Sequence, residues 1–251
     1  MVRSSWHWRR RCRSGPKSRP SGWNRPTRPL QRCVQGSWKG PGYCWLMNRS
    51  GRGEPEVIEL IRKRRSIRSF TGQVLETKQV ELLMEALLRA PTSRGINPWE
   101  FVLVDDGELL AGLSTAKQHG SGFLKGAALA VVICADQTRS DVWVEDCSIA
   151  AILLQMTAQS LGLGSCWAQI RQRQHDKQMT AEQFVQKLLG LPPQIRVEAI
   201  IGIGYPAEKR RALAAGQLDY SKIRHNRYDK LWRQGSVEGD QGIPLVLPGN
   251  L

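Results

Sequence analysis

The stretch RRSIRSF, residues 64–70, is the most informative part of this sequence. It places three guanidinium groups, those of Arg64, Arg65 and Arg68, around the hydroxyl of Ser66. Guanidinium groups bind phosphate through charge-assisted and often bidentate hydrogen bonds. The stretch therefore predicts a site for a dianionic phosphate.

A second informative stretch, PTSRGINPWEF, follows as residues 91–101. It groups small hydroxyl residues, a glycine and a carboxamide ahead of Pro98 and Trp99. These residue types form turns, and the proline restricts the backbone next to an apolar run that starts at Phe101. We expect a loop that holds polar donors on a rigid rim.

The positive charge of the chain is concentrated at its start. The whole sequence carries a formal charge of +15, but residues 1–50 hold 12 of the 37 Lys and Arg and none of the 22 Asp and Glu. The remaining residues therefore carry 25 − 22, or +3. That balance is typical of an ordinary domain with one core, and no nucleic-acid partner is expected for the folded part.

Residues 1–46 are predicted to be a disordered extension rich in Trp, Arg and Pro, followed by a folded domain at 47–230 and a tail at 231–251. The extension has no helical or strand periodicity, so it is not expected to pack. It has three interpretations: an arm for single-stranded nucleic acid or an anionic membrane, an Arg-rich targeting peptide, or sequence upstream of a true start at Met47. We favour the third.

Membrane, disulfide and metal functions are not indicated by the sequence. No run of 18 apolar residues occurs, so no membrane span is expected. Cys134, Cys147 and Cys166 lie in apolar segments without a C-x-x-C pair, which indicates buried thiols in a reducing compartment, the cytoplasm. The four histidines never pair at ligand spacing, and no metal site is predicted; they are His7, His119, His175 and His225.

Helical and strand patterns alternate beyond Met47, which predicts a sheet between helices of the α/β or α+β class. The helical pattern at 77–89 has Thr77 as its expected N-cap, and a capping box formed by Thr180 and Gln183 is expected at the last helix. Helices are predicted at 56–64, 77–89, 108–118, 143–161 and 180–189, and strands at 101–104, 129–135, 165–170 and 195–203. The order of the strands does not follow from these patterns.

Two glycine motifs need interpretation. GIGYPA, residues 202–207, matches the dinucleotide fingerprint G-x-G-x-x-G/A, but Pro206 and the charged run after it do not open an apolar helix, so the match is interpreted as accidental. GLGSCW, residues 162–167, predicts a helix that ends at a glycine and a tight turn after it.

Taken together, these segments resemble the nitroreductase family of flavin mononucleotide (FMN) enzymes. The family has an R-R-S-x-R pattern, a P-S-x-x-N-x-Q-P-W pattern, a G-L-G-S-C-W turn and an I-G-Y-P-A-E segment followed by basic residues, and this chain matches them in the same order between residues 56 and 228. The resemblance implies an α+β fold, a three-layer α-β-α sandwich with a central mixed sheet.

The resemblance also implies a cofactor site. It assigns Arg64, Arg65, Ser66 and Arg68 to the phosphate, together with Lys209 and Arg211, although which of the three basic residues 209–211 reaches the phosphate stays open. Ser165, Trp167, Ala168 and Gln169 would flank the flavin ring, with a backbone N–H near Gln169 facing flavin N5. The loop would contribute Thr92, Ser93, Arg94, Gly95 and Asn97. No catalytic side chain is implied, because the chemistry takes place at flavin N5.

The activity implied by the resemblance is that of an FMN-dependent oxidoreductase. It would take hydride from NAD(P)H and pass it to an electron-poor acceptor, such as a nitroaromatic, quinone or enone-like compound, by a ping-pong mechanism. Family members are homodimers with FMN at the subunit interface, so the 91–97 loop would meet a flavin held by the other subunit. The alternative is a flavin-binding or flavin-storage protein of the same fold without turnover.

The chain departs from the family at Gly95 and Asn97, where many members have Asn and Gln. The substrate pocket is therefore expected to differ. Each segment also has a structural interpretation: RRSIR as a solvated helix end, Asn97 as a residue that satisfies its own loop, and the basic run 209–211 as a charged surface. Trp99 is expected to be a packing anchor rather than a cofactor contact.

Overall fold

A four-stranded sheet with helices on both faces forms the core of residues 56–232, the part of the chain that the computed structural model describes. The strands lie in the order β1-β2-β4-β3. They are β1 (Trp99–Val104), β2 (Leu129–Asp136), β3 (Gly164–Gln169) and β4 (Ile195–Gly204). The helices are α1 (Glu56–Lys63), α2 (Thr77–Leu88), α3 (Gly107–Ser114), α4 (Trp143–Ser160) and α5 (Ala181–Leu189).

The two faces of the sheet bury two separate apolar clusters. Val131 and Ile133 of β2 face the cluster that α2 and α4 cover, whereas Val132 and Cys134 face the cluster that α3 and α5 cover. Side chains alternate between faces along a strand, so a central strand covered on both sides must be apolar throughout. This explains the uninterrupted run LAVVICA in β2 and produces three layers.

The fold class expected from the sequence, α+β with three layers, is confirmed. The expectation of a central mixed sheet is wrong for the described residues, because every strand pair among residues 56–232 is antiparallel. Parallel pairing is limited to an isolated bridge between Ser66 and Ser165. Strand direction depends on how each connection returns to the sheet, and local periodicity carries no information about that.

Most predicted elements are confirmed within a few residues, and the capping box at α5 is present. Gln183 N donates to Thr180 Oγ1 at 3.2 Å, and Thr180 N donates to Gln183 Oε1 at 2.9 Å. The N-cap prediction for α2 was wrong by one residue: Glu76 is the N-cap, and its N–H donates to Gln79 Oε1 at 3.0 Å. A glutamine three residues into the helix selects the cap more strongly than the hydroxyl of Thr77 does.

Both glycine motifs have structural roles: a glycine of GIGYPA allows close packing, and the first glycine of GLGSCW ends a helix. Gly202 lies inside β4, where a Cβ would stand 2.8 Å from the Phe123 ring, so GIGYPA serves close packing and the interpretation of an accidental match is confirmed. Gly162 has a φ of 75° after α4, and Leu163 N donates back to Ala158 O at 2.9 Å. That is the left-handed helix end expected from GLGSCW.

The predicted extension at 1–46 lies outside the described residues, as does the tail from residue 233 onward. Leu231 still forms a bridge with Arg224, and Trp232 N donates to Ile223 O at 2.9 Å. Within residues 56–232, no helix combines the length and the apolar composition needed to cross a membrane.

The segment that carries the arginines is docked against the edge of β3. After α1 ends, Ile67 N donates to Ser165 O at 3.0 Å, and Ala207 N donates to Ser69 O at 2.9 Å. This approach requires Gly164, because a Cβ at that position would stand 2.8 Å from Ile67 Cβ. The segment is therefore held between β3 and the chain that leaves β4.

Replacing Gly164 with Ala should lower the free energy of unfolding by about 1–3 kcal/mol, because the new methyl group and the branched Ile67 side chain cannot both keep their positions. Chemical denaturation measures this difference. Gly107→Ala is the matched control: no atom lies within 4 Å of its added Cβ, so its effect should stay within about 0.5 kcal/mol. Equal stability of the two variants would contradict the tight contact.

Candidate functional site

The arginine segment and the chain after β4 form a basic pocket of about 320 Å³. Its lining residues are Arg64, Arg65, Ser66, Arg68, Arg210 and Arg211. Two of these side chains are held by the protein itself: Arg65 Nε donates to Arg211 O at 3.0 Å, and Arg210 Nε pairs with Glu208 Oε2 at 2.8 Å. The structure thus brings Arg64, Arg65, Ser66 and Arg68 together around one pocket, while its occupation by phosphate stays a prediction.

Three guanidinium groups in this pocket have no hydrogen-bond or ion-pair partner among residues 56–232, and they belong to Arg64, Arg68 and Arg211. Like charges converging at one place repel one another unless an anion lies between them. Guanidinium donors match the geometry of phosphate oxygens, and Ser66 adds a hydroxyl on the same wall. These residues fit the phosphate of FMN.

The sequence left open which residue of the 209–211 run reaches the pocket. Arg210 and Arg211 line the pocket, and Lys209 is not among its lining residues. The position of Arg211 is consistent with the expectation. Lys209 was also expected at the pocket, but Arg210, which forms an ion pair with Glu208, lines the pocket instead. Spacing alone does not reveal which of three consecutive side chains turns inward, because residues 208–214 form no regular element.

Glu208 joins the two segments that line the basic pocket, and sequence reasoning missed this role. Its Oε1 accepts from Arg68 N at 2.6 Å and from Ser69 N at 3.2 Å, while its Oε2 accepts from Arg210. The hydrogen bond from the Arg68 backbone, followed by the Arg210 side chain, holds the pKa of Glu208 below its ordinary value. The available signal was a single acid ahead of the basic run, in AEKRR.

The outer edge of β3 presents unpaired backbone groups beyond the pocket. β3 lies at one edge of the four-stranded sheet. In an antiparallel pair, every second residue of a strand forms hydrogen bonds with its partner strand. Ile170 N donates to Glu198 O of β4, so counting back from Ile170 in steps of two gives the bonded residues, and the backbone groups of the residues between them point to the outer edge. Ser165, Trp167 and Gln169 are those residues. Ile67 uses the carbonyl of Ser165, which leaves the N–H groups of Trp167 and Gln169 directed to the open edge.

The edge starts at the basic pocket and runs away from it. Ser165 forms the bridge to Ser66, which lines the pocket, and Gln169 lies four residues further, about 13 Å along an extended strand. The outer edge of β3 therefore continues from the basic pocket as far as Gln169. Ala168 differs from its neighbours, because its backbone pairs with β4 and its side chain is buried on the α3 and α5 face.

The predicted loop at 92–97 has an unusual backbone. Arg94, Gly95 and Asn97 have φ angles of 56°, 66° and 51°, in the left-handed region that costs non-glycine residues free energy. Thr92 Oγ1 donates to Asn97 Oδ1 at 2.8 Å and accepts from Asn97 N at 3.0 Å. The alternative interpretation, in which Asn97 satisfies its own loop, fits the hydrogen bonds of its oxygen, whereas its amide nitrogen has no partner among the described residues. The predicted contact of Asn97 with the cofactor stays a prediction.

Asp146, a second residue that sequence reasoning missed, anchors the loop to α4. Its side chain is only 2% exposed, and Oδ1 accepts from Ser93 N at 2.9 Å. Arg94 pairs with Asp141 at 2.5 Å, and Arg139 donates to the carbonyl of Ile96 at 3.0 Å. Within residues 56–232, the loop's side-chain hydrogen bonds run to itself and to 139–146 and not to the basic pocket.

Trp99 packs as the sequence predicted. Its ring stacks on Phe101, with 5.2 Å between centroids, and it lies against the α2 and α4 cluster. Its indole Nε1 is buried without a hydrogen-bond partner among the described residues.

Comparison with known proteins agrees with this geometry. A profile of the Nitroreductase family matches residues 61–119 and 113–205. A solved FMN-dependent nitroreductase from Clostridium difficile R20291 is 43% identical with a TM-score of 0.67, covering 68% of this chain and 99% of that chain. A candidate NADH dehydrogenase/NAD(P)H nitroreductase of Archaeoglobus fulgidus is 34% identical over 159 residues, which is 62% of this chain and 88% of that protein.

An FMN reductase (NADPH) of Bacillus subtilis is 26% identical over 172 residues, covering 60% of this chain and 66% of that protein. The family profile spans more than half of the chain and includes both the arginine segment and the open edge of β3. The family resemblance inferred from the sequence is thereby confirmed, and this chain belongs to the Nitroreductase family of oxidoreductases.

Proposed function

We propose that this chain is an FMN-dependent oxidoreductase that takes hydride from NAD(P)H and passes it to an electron-poor acceptor by a ping-pong mechanism. The observation that carries the proposal is the pocket with three unpaired guanidinium groups at one end of an open sheet edge. The names of the relatives support it, since they include an FMN-dependent nitroreductase and an FMN reductase that uses NADPH.

The protein's part in this reaction is to hold and polarise the cofactor. Arg64, Arg68 and Arg211 would bind the phosphate, and the backbone N–H groups of Trp167 and Gln169 would face the ring. When bound, FMN supplies the hydride chemistry, so no side-chain nucleophile is needed. Fixed N–H dipoles along the edge would stabilise negative charge that develops on reduction, because they need no reorganisation.

The proposal includes a reducing compartment, and the cysteines support it. Cys134, Cys147 and Cys166 are free thiols and all three are buried. Burial is the main cause that raises the pKa of Cys134 to about 12, which keeps that thiol protonated and unreactive. Three reduced cysteines fit a reducing compartment such as the cytoplasm, and this placement is part of the proposal.

The function is tested by colour. The purified protein should carry a yellow flavin, and anaerobic NAD(P)H should bleach its visible absorption, because hydride would enter the flavin. Adding a quinone or a nitroaromatic compound should restore the colour. A yellow protein that NAD(P)H does not bleach would instead support the alternative, a flavin-binding or flavin-storage protein of the same fold.

The phosphate site is tested by comparing two ligands. Arg68→Ala should weaken FMN binding by about one to two decades in Kd, the range for a charge-assisted hydrogen bond, and leave riboflavin binding nearly unchanged, because riboflavin lacks the phosphate. Fluorescence titration measures both. Arg89→Ala is the matched control, since it removes an exposed guanidinium that pairs only with Glu85 on α2. Equal losses for the two ligands would show that Arg68 does not contact the phosphate.

The exposed apolar surface supports a homodimer with FMN at the interface. The outer side of α4 carries Ile149, Ile152 and Leu153 at the spacing of one helical stripe, and all three are at least 36% exposed. Leu88 at the end of α2 is 65% exposed. Single exposed apolar residues are common, but neighbouring helices with exposed apolar stripes indicate an interface.

The chain after β4 adds to this surface. Residues 206–232 include no buried residue, although they form defined backbone hydrogen bonds. Their exposed apolar side chains are Leu213, Leu218, Ile223, Tyr228 and Leu231. Such a segment buries little apolar surface against its own chain, so a second copy of the protein that covers it would bury these apolar side chains.

Shared sites are tested by subunit complementation. Arg68→Ala should weaken phosphate binding, so that its sites are largely empty at limiting FMN, and Asn97→Asp should remove the amide donor while keeping the oxygen that accepts from Thr92. In the proposed dimer the two residues serve one site from different subunits, so each mixed dimer would have one intact site and recover about half of the wild-type activity per dimer.

The mixed dimers are isolated with two different affinity tags, so that subunit exchange is established independently of activity. Wild-type chains carrying the same tags serve as the control. Mixed dimers as inactive as the parents would place both residues in the same protomer's site and contradict the shared-site arrangement.

A further inference from the structure

Glu198 occupies an irregular position in the sheet. In the pairing of β2 with β4, Ile133 lies opposite Ala199 and Cys134 lies opposite Val197, so Glu198 is an extra residue without a partner on β2. Such a bulge redirects a side chain and is over-represented next to active sites. Here the redirected residue lies across from the end of β3, where Ile170 N and Arg171 N both donate to its carbonyl, at 3.1 and 3.0 Å.

The carboxyl group of Glu198 is buried without a full set of partners. The residue is 5% exposed, and Oε1 accepts from Gln169 Nε2 at 3.2 Å. Oε2 has no hydrogen-bond donor among the described residues, and its nearest cation, Arg171 Nε, is 4.0 Å away. A buried carboxyl with an unsatisfied oxygen lowers the stability of the fold.

Several charged groups face this carboxyl from the surrounding elements. They are Arg171 after β3, Glu145 of α4 and Glu182 of α5. Burial is the main cause that raises the pKa of Glu198, and the two glutamates raise it further, while Gln169 and Arg171 lower it. Arg171 is itself placed over the Trp143 ring, 5.8 Å from its centroid.

The side-chain amide of Gln169 is oriented by this arrangement. Its Nε2 faces three acceptors: Glu198 Oε1 and Glu198 O, each at 3.2 Å, and Arg171 O at 3.3 Å. The amide oxygen must then point the other way, where it accepts from Trp167 Nε1 at 2.9 Å. An amide surrounded by acceptors on one side has a single favourable orientation.

Trp167 and Gln169 are the same residues whose backbone N–H groups face the open edge. The hydrogen-bonded series Glu198–Gln169–Trp167 therefore links a buried acid on β4 to the two residues that carry these donors. One bond connects β4 to the end of β3, and the other connects two side chains within β3. A network of this kind holds neighbouring backbone in one geometry more firmly than single bonds do.

We propose that Glu198 is a positioning residue for the β3 edge: by accepting from Gln169, it fixes the Gln169 and Trp167 side chains and with them the N–H groups that face the cofactor ring. This role deepens the proposed function and rests on it. Glu198 touches neither cofactor nor substrate in this assignment, and it acts only through Gln169.

The test compares Glu198→Ala, which removes the acceptor, with Glu198→Gln, which keeps an acceptor oxygen of similar shape. The Ala variant should shift the indole N–H resonance of Trp167, assigned with Trp167→Phe, in the ¹H–¹⁵N spectrum. It should also slow reduction of bound FMN by NAD(P)H roughly 10- to 100-fold, the effect of a small misplacement of reacting groups. The Gln variant should restore both readouts.

Two controls separate positioning from general damage. The Kd for FMN should change less than about threefold in the Ala variant, because the arginines lie at the other end of the edge and act independently. Glu100→Gln removes a carboxylate from β1, on the opposite edge of the sheet, and should leave the Trp167 resonance and the reduction rate unchanged. A merely structural role would not move the resonance and the rate while leaving FMN affinity intact.

An unchanged Trp167 resonance in Glu198→Ala, or equal losses in the Ala and Gln variants, would overturn the proposal. If the Ala variant does not fold, Glu198→Leu takes its place: it fills a similar space without an acceptor for Gln169 Nε2, so it must shift the same resonance and slow the same step, and no change in either would overturn the positioning role of Glu198. A wild-type protein that binds no flavin would defeat the proposed function instead, while the Trp167 resonance would still report on the positioning role.

Discussion

The contact between Ile67 and Gly164 is the constraint on which the rest of the site depends. The backbone of the arginine segment reaches Ser165 only because residue 164 has no side chain in the space that Ile67 fills. Ile67 is buried, so an apolar side chain fixes a segment that otherwise consists of charged and hydroxyl residues. Burial of one branched side chain thus determines where three guanidinium groups lie.

The pocket is assembled from two distant parts of the chain, and a single carboxylate links them. Glu208 accepts from the backbone of residues 68 and 69 while it pairs with Arg210, so part of the positive charge is compensated where the two segments meet. The remaining guanidinium groups repel one another. A dianion that binds among them stabilises the native state, because it relieves this repulsion and does not bind the unfolded chain in the same way.

The strands of the sheet differ in how far their faces and edges are covered. β2 and β4 are covered on both faces and are mostly apolar, whereas among residues 56–232 the outer edge of β3 is paired at Ser165 and not beyond it. Open edges carry unsatisfied backbone groups that attract other strands. In the proposed function the cofactor lies along this edge, so unpaired N–H groups that would be a liability in a bare sheet become donors at the site.

By itself, the sequence determined the elements, the fold class and the clustering of arginines at 64–68, because these depend on residues close together in the chain. Apolar periodicity located the strands and helices, Thr180 and Gln183 formed the expected capping box, and four residues of RRSIRSF line the basic pocket, whose occupation by phosphate stays a prediction. Even the family could be inferred, since its motifs are short and ordered. The predicted N-cap of α2 was wrong by one residue, because Glu76 and Thr77 both have side chains that can cap a helix.

Only the tertiary structure decided the strand order, the choice of Arg210 over Lys209, and the roles of Glu208, Asp146 and Glu198. Each depends on a partner far away in the chain, and no local pattern specifies that partner. Glu198 had a sequence signal, a lone acid within the apolar strand IRVEAIIGIG, but its meaning came from the bulge that turns it toward Gln169. Local chemistry predicts which groups are available, and long-range packing decides which of them meet.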